Sequence, residues 1–444
     1  MPGIDGLPAF RLDCPHSMTT RFLFILILGL IPCAPAAIIG TNTPAQPLTS
    51  ERVATESPAW REYLERSNRQ FQADQTFFHN EMKAHGLKAS LLPPAARGAG
   101  SVPLNKPAAW YASADARRIA DIVVSFQTPA GGWSKNLNMS VHPRAPGEHF
   151  APDNSSQFLG TGDYDAPHDT NWSYVGTFDN DATVTQLRYL AKVVTALGGL
   201  RGASYRASFL RGLDYVFTAQ YPNGGWPQVW PLQGGYHDAI TYNDDAMIQI
   251  LELLQDVAAG KGDYAFVPEQ VRAQGGMSLE LGIDCVLATQ IVVNGHRTVW
   301  CQQHDPLTLQ PASARNYEMP SACAAESADL MMFLMRLPNP SPAVVTSVHA
   351  AAGWFEKTAI HDVAFKSTGN DGRHLVAEPG AGPTWARYYE IGTDRPIFGD
   401  RDKTIHDNVD EISRERRTGY TWYRDTAKRA LEHYAKWSKE HPLN

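Results

Sequence analysis

The chain has 444 residues, of which 43% are hydrophobic and 10% aromatic, and its formal net charge is −7. This is the composition of a globular protein with one large hydrophobic core, or with one large and one small domain. The negative charge argues against a general nucleic-acid-binding protein. A polyanionic ligand would have to be held by a local group of cations or by a metal ion.

The N-terminus has the layout of a secretory signal peptide. Arg21 precedes an apolar run from 22 to 31, and Ala-Pro-Ala follows at 34–36 as a cleavage site. The apolar run is too short for a comfortable membrane span. We therefore assign residues 1–37 to a signal peptide, with translation starting at Met18. The mature protein should be secreted or periplasmic and make no membrane contact.

Three cysteines remain after signal removal, namely Cys285, Cys301 and Cys323. They allow at most one intramolecular disulfide, so the fold cannot depend on a disulfide framework. No Cys or His residues have the spacing of a structural zinc site.

Two stretches rich in helix breakers flank a polar helical segment near the N-terminus. Residues 38–58 have the composition of a linker, 58–90 are predicted to be helical, and 91–107 contain several Pro and Gly residues. We therefore divide the mature chain into a linker and N-terminal helical extension, residues 38–107, and a main body, residues 108–444.

The main body contains a repeated pattern. In each copy an apolar-periodic helix ends at a glutamine, and a turn and a tryptophan follow. The glutamines are Gln127, Gln220 and Gln290. Each copy leads through a polar loop to a second helix, predicted at 181–197, 244–258 and about 320–336. Strand signals are few, so the pattern predicts a mainly α fold, an incomplete (α/α) toroid of three helix-pair repeats.

One connection in the main body is unusually long. Residues 137–175 lack helical periodicity. A loop of this length in a compact domain indicates a functional loop or an insertion.

Two helices of the repeat are preceded by clusters of Asp and Asn residues. The clusters are 179–181 and 243–245. One residue in each could cap its helix, and the others could be solvated or interact with the helix dipole. Their equivalent positions in two repeats favour a shared site instead. Oxygen ligands from two helix starts suit Ca²⁺, although no EF-hand spacing is present.

Aromatic and basic side chains form the remaining candidates. Trp226 follows a Gly-Gly turn, where it could be either a sugar platform or a core anchor of the repeat. The region 382–423 is rich in Arg, and Arg315 is a further candidate. Arg binds carboxylates through two parallel hydrogen bonds. Acidic clusters, arginines and aromatic rings together indicate a binder of acidic sugar polymers.

Six segments carry a family resemblance. They are FQTPAGGWSKN, TFDNDATVTQLRYLA, QYPNGGWPQVWP, TYNDDAM, SARNYEMPS and GPTWARYYEIGTDRPIFGDRDKTI, in order between residues 126 and 405. The chain resembles pectate lyases of polysaccharide lyase family ten. The resemblance implies a mainly α toroid with a smaller, irregular, loop-rich domain and an active site in the cleft between them, so that 108–444 becomes the catalytic region.

The resemblance also implies calcium-dependent anti β-elimination on polygalacturonate by a monomer. Its site residues would be Asp179, Asn180 and Asp244 for calcium, Arg315 and Arg387 for substrate, Arg401 as the catalytic base, and Lys135 and Asn136 in subsites. Free arginine has a pKa above about 12. Such an enzyme should therefore work best at alkaline pH, with calcium and neighbouring arginines lowering the pKa of the base.

Two alternatives remain at this stage. An inverting glycoside hydrolase on an (α/α) toroid would use two carboxylates as acid and base, and would give a saturated product without needing calcium. A secreted pectin-binding protein could keep the fold without activity, but it would have to lack the catalytic arginine or the calcium aspartates.

Overall fold

Helices dominate the fold, and those at 184–197, 246–259 and 324–335 lie where apolar spacing predicts the second helix of each repeat. The computed structural model describes residues 37–167, 172 and 174–443, so all but the last residue of the predicted signal peptide lies outside the described residues. The helices are α1 Pro58–Ala84, α2 Ala114–Ser125, α3 Val184–Leu197, α4 Ala203–Ala219, α5 Ala246–Ala259, α6 Glu269–Thr289, α7 Ala324–Met335, α8 Pro342–Thr358, α9 Arg414–Gly419 and α10 Thr426–Glu440. No helix in these described ranges is long and apolar enough to cross a membrane.

Three pairs of helices form the incomplete (α/α) toroid. The pairs are α3 with α4, α5 with α6, and α7 with α8. Helices α3, α5 and α7 are buried along most of their length, and α5 packs against both others, so they form the inner ring. Helices α4, α6 and α8 each keep an exposed face, which places them on the outside. The predicted fold class is confirmed.

The repeat glutamines connect successive outer helices. The side-chain amide of Gln127 donates to the carbonyl of Gly131 in its own turn (2.7 Å) and to that of Ser208 in α4 (3.0 Å). Gln220 and Gln290 make the same two kinds of hydrogen bond, to their own turns and to α6 and α8. Each of these side-chain amides therefore links one repeat to the next.

The repeat tryptophans are core anchors. Trp133, Trp226 and Trp300 are all buried, and Trp226 is only 1% exposed. Each indole N–H donates to a backbone carbonyl of the preceding helix. The acceptors are Val123, Val216 and Val286. The interpretation of Trp226 as a sugar platform is therefore wrong, because its ring faces the core and its donor is used inside the repeat.

Short strands lie between and after the helices. They are β1 Ile38–Thr41, β2 Ile240–Thr241, β3 Val292–Val293, β4 His296–Arg297, β5 Gln303–His304, β6 Ala322–Cys323, β7 Val363–Ser367, β8 Arg373–Ala377, β9 Trp385–Ala386, β10 Tyr388–Tyr389, β11 Pro396–Gly399, β12 Thr404–His406 and β13 Tyr423–Arg424. The largest sheet has the order β1-β12-β11-β10-β6 and is antiparallel. The start of the segment expected to be a linker is thus an edge strand of this sheet.

The long loop 137–175 is attached to the N-terminal helix α1. Arg144 makes two hydrogen bonds to the carboxylate of Glu81 on α1, at 2.9 and 2.6 Å. The backbone N–H of Gly147 donates to the same carboxylate at 2.9 Å. This ion pair is largely buried, so it fixes the first half of the loop against the helix.

The three cysteines Cys285, Cys301 and Cys323 are buried and free.

Candidate active site

The two acidic clusters form short 3₁₀ turns that contact each other. Their backbones are unusual for non-glycine residues. Asn180 and Asp181 have φ of 52° and 62°, and Asp244 and Asp245 have φ of 49° and 59°. Left-handed conformations of this kind cost free energy and persist where the surroundings impose them, often at functional sites.

Neither cluster caps its helix with a side chain, although one residue in each was a candidate cap. Helix α3 begins after Thr183, outside the first cluster, and no side chain caps it. Asp245 occupies the N-cap position of α5, but its carboxylate makes no capping hydrogen bond. Side-chain capping therefore does not explain these Asx residues, which favours a role in binding.

Asp179 is the buried member of the acidic pair. It is 3% exposed, and its Oδ2 lies 2.5 Å from Nζ of Lys135. Burial alone would raise the pKa of Asp179, but the charge of Lys135 lowers it. Its Oδ1 is buried and makes no hydrogen bond of standard geometry. The side chain of Gln228 also lowers the pKa of Asp179 through a hydrogen bond. An ionised carboxylate oxygen is a suitable ligand for a cation.

Asp244 faces the solvent beside this buried carboxylate. Desolvation and the charge of Asp179 raise its pKa. The side-chain amide of Asn243 donates to its Oδ2 at 3.0 Å. Two carboxylates that disfavour each other's ionisation would be stabilised together by a cation.

The donor set fits an oxygen-binding cation with an incomplete protein shell. Among the described residues, no group of three or more His, Cys, Asp or Glu side chains could hold a metal ion. The protein would therefore supply Asp179 and Asp244, with Asn180 beside them, and water or substrate would supply the remaining oxygens. Ca²⁺ accepts such flexible, oxygen-rich coordination.

Arg387 contacts the second acidic turn, residues 243–245, through the side chain of Asn243. Its guanidinium is buried and donates to Glu326 at 2.6 Å and to the amide oxygen of Asn243 at 3.1 Å. Burial alone would lower the pKa of Arg387, and the charge of Glu326 raises it. Arg387 thus holds a residue next to Asp244. Its direct contact with substrate stays a prediction.

Arg315 and Arg401 are each paired with a glutamate. Arg315 donates to both carboxylate oxygens of Glu318, at 2.8 and 2.5 Å. Arg401 donates to both oxygens of Glu415, at 2.7 and 3.2 Å. Both guanidinium groups keep part of their surface exposed. The charge of Arg315 also lowers the pKa of Asp179 and opposes the upward shift at Asp244.

Two tyrosines hold the arginines in one cluster. The guanidinium carbons of Arg315, Arg401 and Arg416 lie 5.1, 5.5 and 4.4 Å from the ring centre of Tyr317. Arg387 lies 4.7 Å from that of Tyr420. Stacking on aromatic faces stabilises cations that would otherwise repel each other. The predicted arginines therefore form one cluster, although they come from widely separated segments. Within it, Arg315 and Arg387 act electrostatically on Asp244.

Comparison with known proteins decides the family. A family profile described as pectic acid lyase matches residues 127–431. The chain belongs to the pectic acid lyase family.

Two solved structures resemble this lyase. One is the family 10 polysaccharide lyase from Cellvibrio cellulosa, with 28% sequence identity and a TM-score of 0.62 over 78% of this chain and 99% of that chain. The other is an aspartate-to-alanine mutant of a family 10 polysaccharide lyase from the same organism in complex with trigalacturonic acid, with 28% identity and a TM-score of 0.61 over 76% and 98%. No match was found among curated proteins. The chain is a pectate lyase of polysaccharide lyase family ten, as the resemblance predicted.

The long loop places residues beside the arginine cluster that the sequence did not single out. Phe158, which is 47% exposed, lies over the Arg401 guanidinium with 4.5 Å between Cζ and the ring centre. Asp165 accepts a hydrogen bond from Tyr236. Burial raises the pKa of Asp165, and the charges of Arg315 and Lys135 oppose that shift.

Asn136 holds this loop in place. Its amide N donates to Asn154 at 2.9 Å, and its amide O accepts from the backbone N–H of Gly98 at 2.8 Å. Both ends of the side chain are thus engaged by protein. A direct subsite role for Asn136 stays a prediction, while Lys135 next to it reaches the acidic pair.

The supporting glutamates and tyrosines were also missed. Glu318, Tyr317 and Tyr420 lie close to predicted residues in the sequence or in space, but none has a motif of its own. The only available signal was the run Arg-Asn-Tyr-Glu at 315–318, which places an aromatic and an acid directly after a predicted arginine.

Proposed function

We propose that this lyase cleaves polygalacturonate by calcium-dependent anti β-elimination and releases unsaturated oligogalacturonides. The observation that carries the proposal is the arrangement of Asp179 and Asp244 beside a cluster of arginines on two tyrosines. The acidic pair would attract a cation, and the arginines would attract the carboxylates of the substrate. Binding of an acidic sugar polymer would use both the cation and the arginines, because each neutralises carboxylates of the polymer.

Asp179 and Asp244 would hold the calcium ion, with Asn180 at its side. When bound, Ca²⁺ supplies positive charge that neutralises a uronate carboxylate and makes the C5 proton more acidic. The charge of Lys135 lowers the pKa of Asp179, which favours its ionised form before a cation binds. The two left-handed turns contact each other, which would limit the reorganisation that binding requires.

The arginine cluster would bind the substrate carboxylate and stabilise the charge that develops during the reaction. A guanidinium donates two parallel hydrogen bonds to a carboxylate. The reaction removes the C5 proton, forms a double bond between C4 and C5, and breaks the bond from C4 to the glycosidic oxygen. Pre-positioned cations stabilise the enolate-like intermediate more than the ground state, which lowers the barrier.

The resemblance assigns the base to Arg401, and we keep that assignment in the proposal. Arg315 acts electrostatically on both Asp179 and Asp244, so it would bind the uronate carboxylate that calcium holds. Burial alone would lower the pKa of Arg315, but Glu318 raises it well above its ordinary value, which disfavours loss of its proton. Arg401 contacts Glu415, Phe158 and Tyr317, and its guanidinium stays partly exposed.

The reaction itself is tested by ultraviolet absorbance with polygalacturonate at alkaline pH, first with calcium and then with excess chelator. We expect absorbance to rise with calcium, because the product carries a C4–C5 double bond, and to stop rising with chelator. A gain in reducing ends without absorbance would mean hydrolysis. Asp179 and Asp244 would then be an acid and base pair, as in the glycoside hydrolase alternative.

Single substitutions test the assignment of the base. Replacing the true base by alanine should abolish turnover while polygalacturonate still binds. Replacing a carboxylate-binding arginine should raise KM and leave measurable kcat. Arg315→Ala and Arg401→Ala therefore give opposite patterns, and wild-type turnover in either variant would exclude that arginine as the base.

We also propose that the lyase is exported by the signal peptide at residues 1–37 and acts as a monomer outside the cytoplasm. The arrangement of Arg21, the apolar run and the small residues after it supports export. N-terminal sequencing of the protein recovered from the medium or periplasm checks the cleavage site. A full-length chain that stays in the cytoplasm would contradict this proposal.

A further inference from the structure

We propose that Asn42 is a positioning residue that holds the loops of Arg315 and Arg401 in one geometry. The consequence for catalysis rests on the proposed function of those arginines. Asn42 lies directly after strand β1, in the segment whose composition predicted a linker. The side chain is only 3% exposed, although the residue lies near the N-terminal end of the described chain.

The side chain of Asn42 contacts the turn that carries Arg315. Its amide nitrogen lies 3.1 Å from the carbonyl oxygen of Arg315, 3.0 Å from that of Asn316 and 3.3 Å from that of Glu318. This turn belongs to no helix or strand in the structure. Two of these carbonyls also accept backbone hydrogen bonds within the turn, from Glu318 to Arg315 and from Ala314 to Glu318. The buried amide of Asn42 therefore adds a second, non-local contact that fixes the turn.

The backbone of Asn42 contacts the loop that carries Arg401. Its N–H donates to the carbonyl of Lys403 at 2.8 Å, and β1 pairs with β12 directly after this loop. Asn316, which Asn42 holds, donates its own side-chain amide to the carbonyl of Arg401 at 2.7 Å. The two arginine loops are thus joined through two asparagine side chains.

The same residue also secures the long loop 137–175. The hydroxyl of Tyr164 donates to the carbonyl of Asn42 at 3.0 Å, and the backbone N–H of Tyr164 donates to the side-chain oxygen of Asn316 at 2.9 Å. Asp165 and Phe158 approach the arginines from this loop. Asn42 therefore connects three irregular segments, namely the 315–318 turn, the loop that carries Arg401 and the long loop 137–175.

A structural role alone is the competing explanation, since Asn42 could simply tie down the start of the chain. Arg52 offers a matched control because it anchors the same N-terminal segment elsewhere. Its guanidinium forms a salt bridge of 2.5 Å with Asp305 and its partners do not include the 315–318 turn. If Asn42 only attaches the chain, Asn42→Ala and Arg52→Ala should behave alike.

The two roles predict different kinetics. Displacing a reacting group by about 1 Å can cost on the order of 100-fold in rate. We expect Asn42→Ala to reduce kcat at least about 10-fold with a smaller change in KM, whereas Arg52→Ala keeps kcat within about 2-fold. Asn42→Asp should be at least as impaired, because a carboxylate would face the carbonyl oxygens that now accept hydrogen bonds.

Hydrogen exchange on the full mature chain gives a readout that does not depend on activity. Amides in peptides covering 313–320 and 400–406 should exchange faster in Asn42→Ala than in the wild type. In Arg52→Ala the same amides should exchange at the wild-type rate. A wild-type protein without lyase activity would refute the proposed function but leave this measurement valid.

Three results would overturn the inference. The first is unchanged exchange of both loops in Asn42→Ala. The second is faster exchange with wild-type kcat, which would show that the contact does not position the arginines for the reaction. The third is an equal loss of kcat in Arg52→Ala, which would show a general effect of loosening the N-terminal segment.

Discussion

Lys135 and Asp179 form a buried salt bridge in which Nζ lies 2.5 Å from Oδ2, and Nζ also lies 3.4 Å from the ring centre of Tyr174. The charge of Lys135 lowers the pKa of Asp179. This explains how Asp179 stays ionised next to Asp244 before a cation binds. The other oxygen, Oδ1, makes no hydrogen bond of standard geometry, although the side chain of Gln228 also lowers the pKa of Asp179. In the proposed site, lysine and calcium would both contribute positive charge to the carboxylate of Asp179.

Removing the lysine should make the folded protein depend on calcium. Lys135→Met leaves a buried carboxylate without its partner, which typically costs about 3 kcal/mol of stability. We expect a lower Tm in chelator and a larger rise of Tm on adding calcium than in the wild type. Lys192→Met is the control, because the Lys192–Asp263 pair is more exposed. Equal calcium effects in all three proteins would mean that Lys135 does not share its carboxylate with the cation.

The first acidic turn, residues 179–181, contains two aspartates whose substitution tests the proposed metal site. Asp179→Asn keeps the shape of the side chain but removes a charged ligand, so we expect about 100-fold lower activity at limiting calcium, with partial recovery at high calcium. Asp181→Asn changes an exposed residue of the same turn and should lose at most a few-fold in activity. Calcium titration of the initial rate measures both. Similar titration curves for the two variants would argue against Asp179 as a ligand.

The toroid was predictable because its signals are local and repeated. The spacing of Gln127, Gln220 and Gln290 is visible in the sequence, and the structure gives all three amides equivalent partners. Apolar periodicity placed the helices for the same reason, since it depends on neighbours within a few turns. The acidic clusters were recognisable because they recur at equivalent points of two repeats.

Features that depend on distant partners could not be read in this way. Trp226 follows a Gly-Gly turn whether it binds sugar or fills the core, and only the fold shows that its N–H meets Val216. Strand β1 pairs with β12 across most of the chain, and the composition of residues 38–58 does not encode that pairing. The position of Asn42 beside Arg315 follows from the same non-local contact.

Neutralising Glu318 should distinguish the two candidate bases. Burial alone would raise the pKa of Glu318, but the charge of Arg315 and its hydrogen bonds lower it to about 2. Burial likewise tends to lower the pKa of Arg315, and Glu318 raises it well above its ordinary value. Glu318→Gln therefore lowers the pKa of Arg315. If Arg315 is the base, the rising limb of the pH–rate profile moves to lower pH, by about one unit or more.

Glu415→Gln makes the same chemical change beside Arg401 and serves as the control. Profiles of kcat/KM against pH for both variants give the answer, with Tm measured to exclude unfolding. A shift in Glu415→Gln alone would assign the base to Arg401, as the family resemblance implied. A shift in neither variant would mean that the group limiting the rate is neither of these arginines.

The crowding of acids around the second turn predicts a pH-dependent stability. Burial and the charges of Asp329 and Glu326 raise the pKa of Asp245 from 3.8 to about 7. Below about pH 4 this carboxyl is protonated in both folded and unfolded states and has no effect. As pH rises towards 7 the unfolded state ionises first, so the folded state loses stability, and the full penalty remains at higher pH.

Asp245→Asn removes that penalty. In chelator above about pH 7, we expect the free energy of unfolding to rise by about 1 kcal/mol or more, and we expect no gain near pH 4. Thermal unfolding at both pH values measures the effect, and Asp284→Asn on the exposed side of α6 is the control. The same gain at both pH values would show that packing, and not ionisation, is responsible. Adding calcium should make the stability difference between Asp245→Asn and the wild type smaller. A cation at the acidic pair would offset the same repulsion in the wild type.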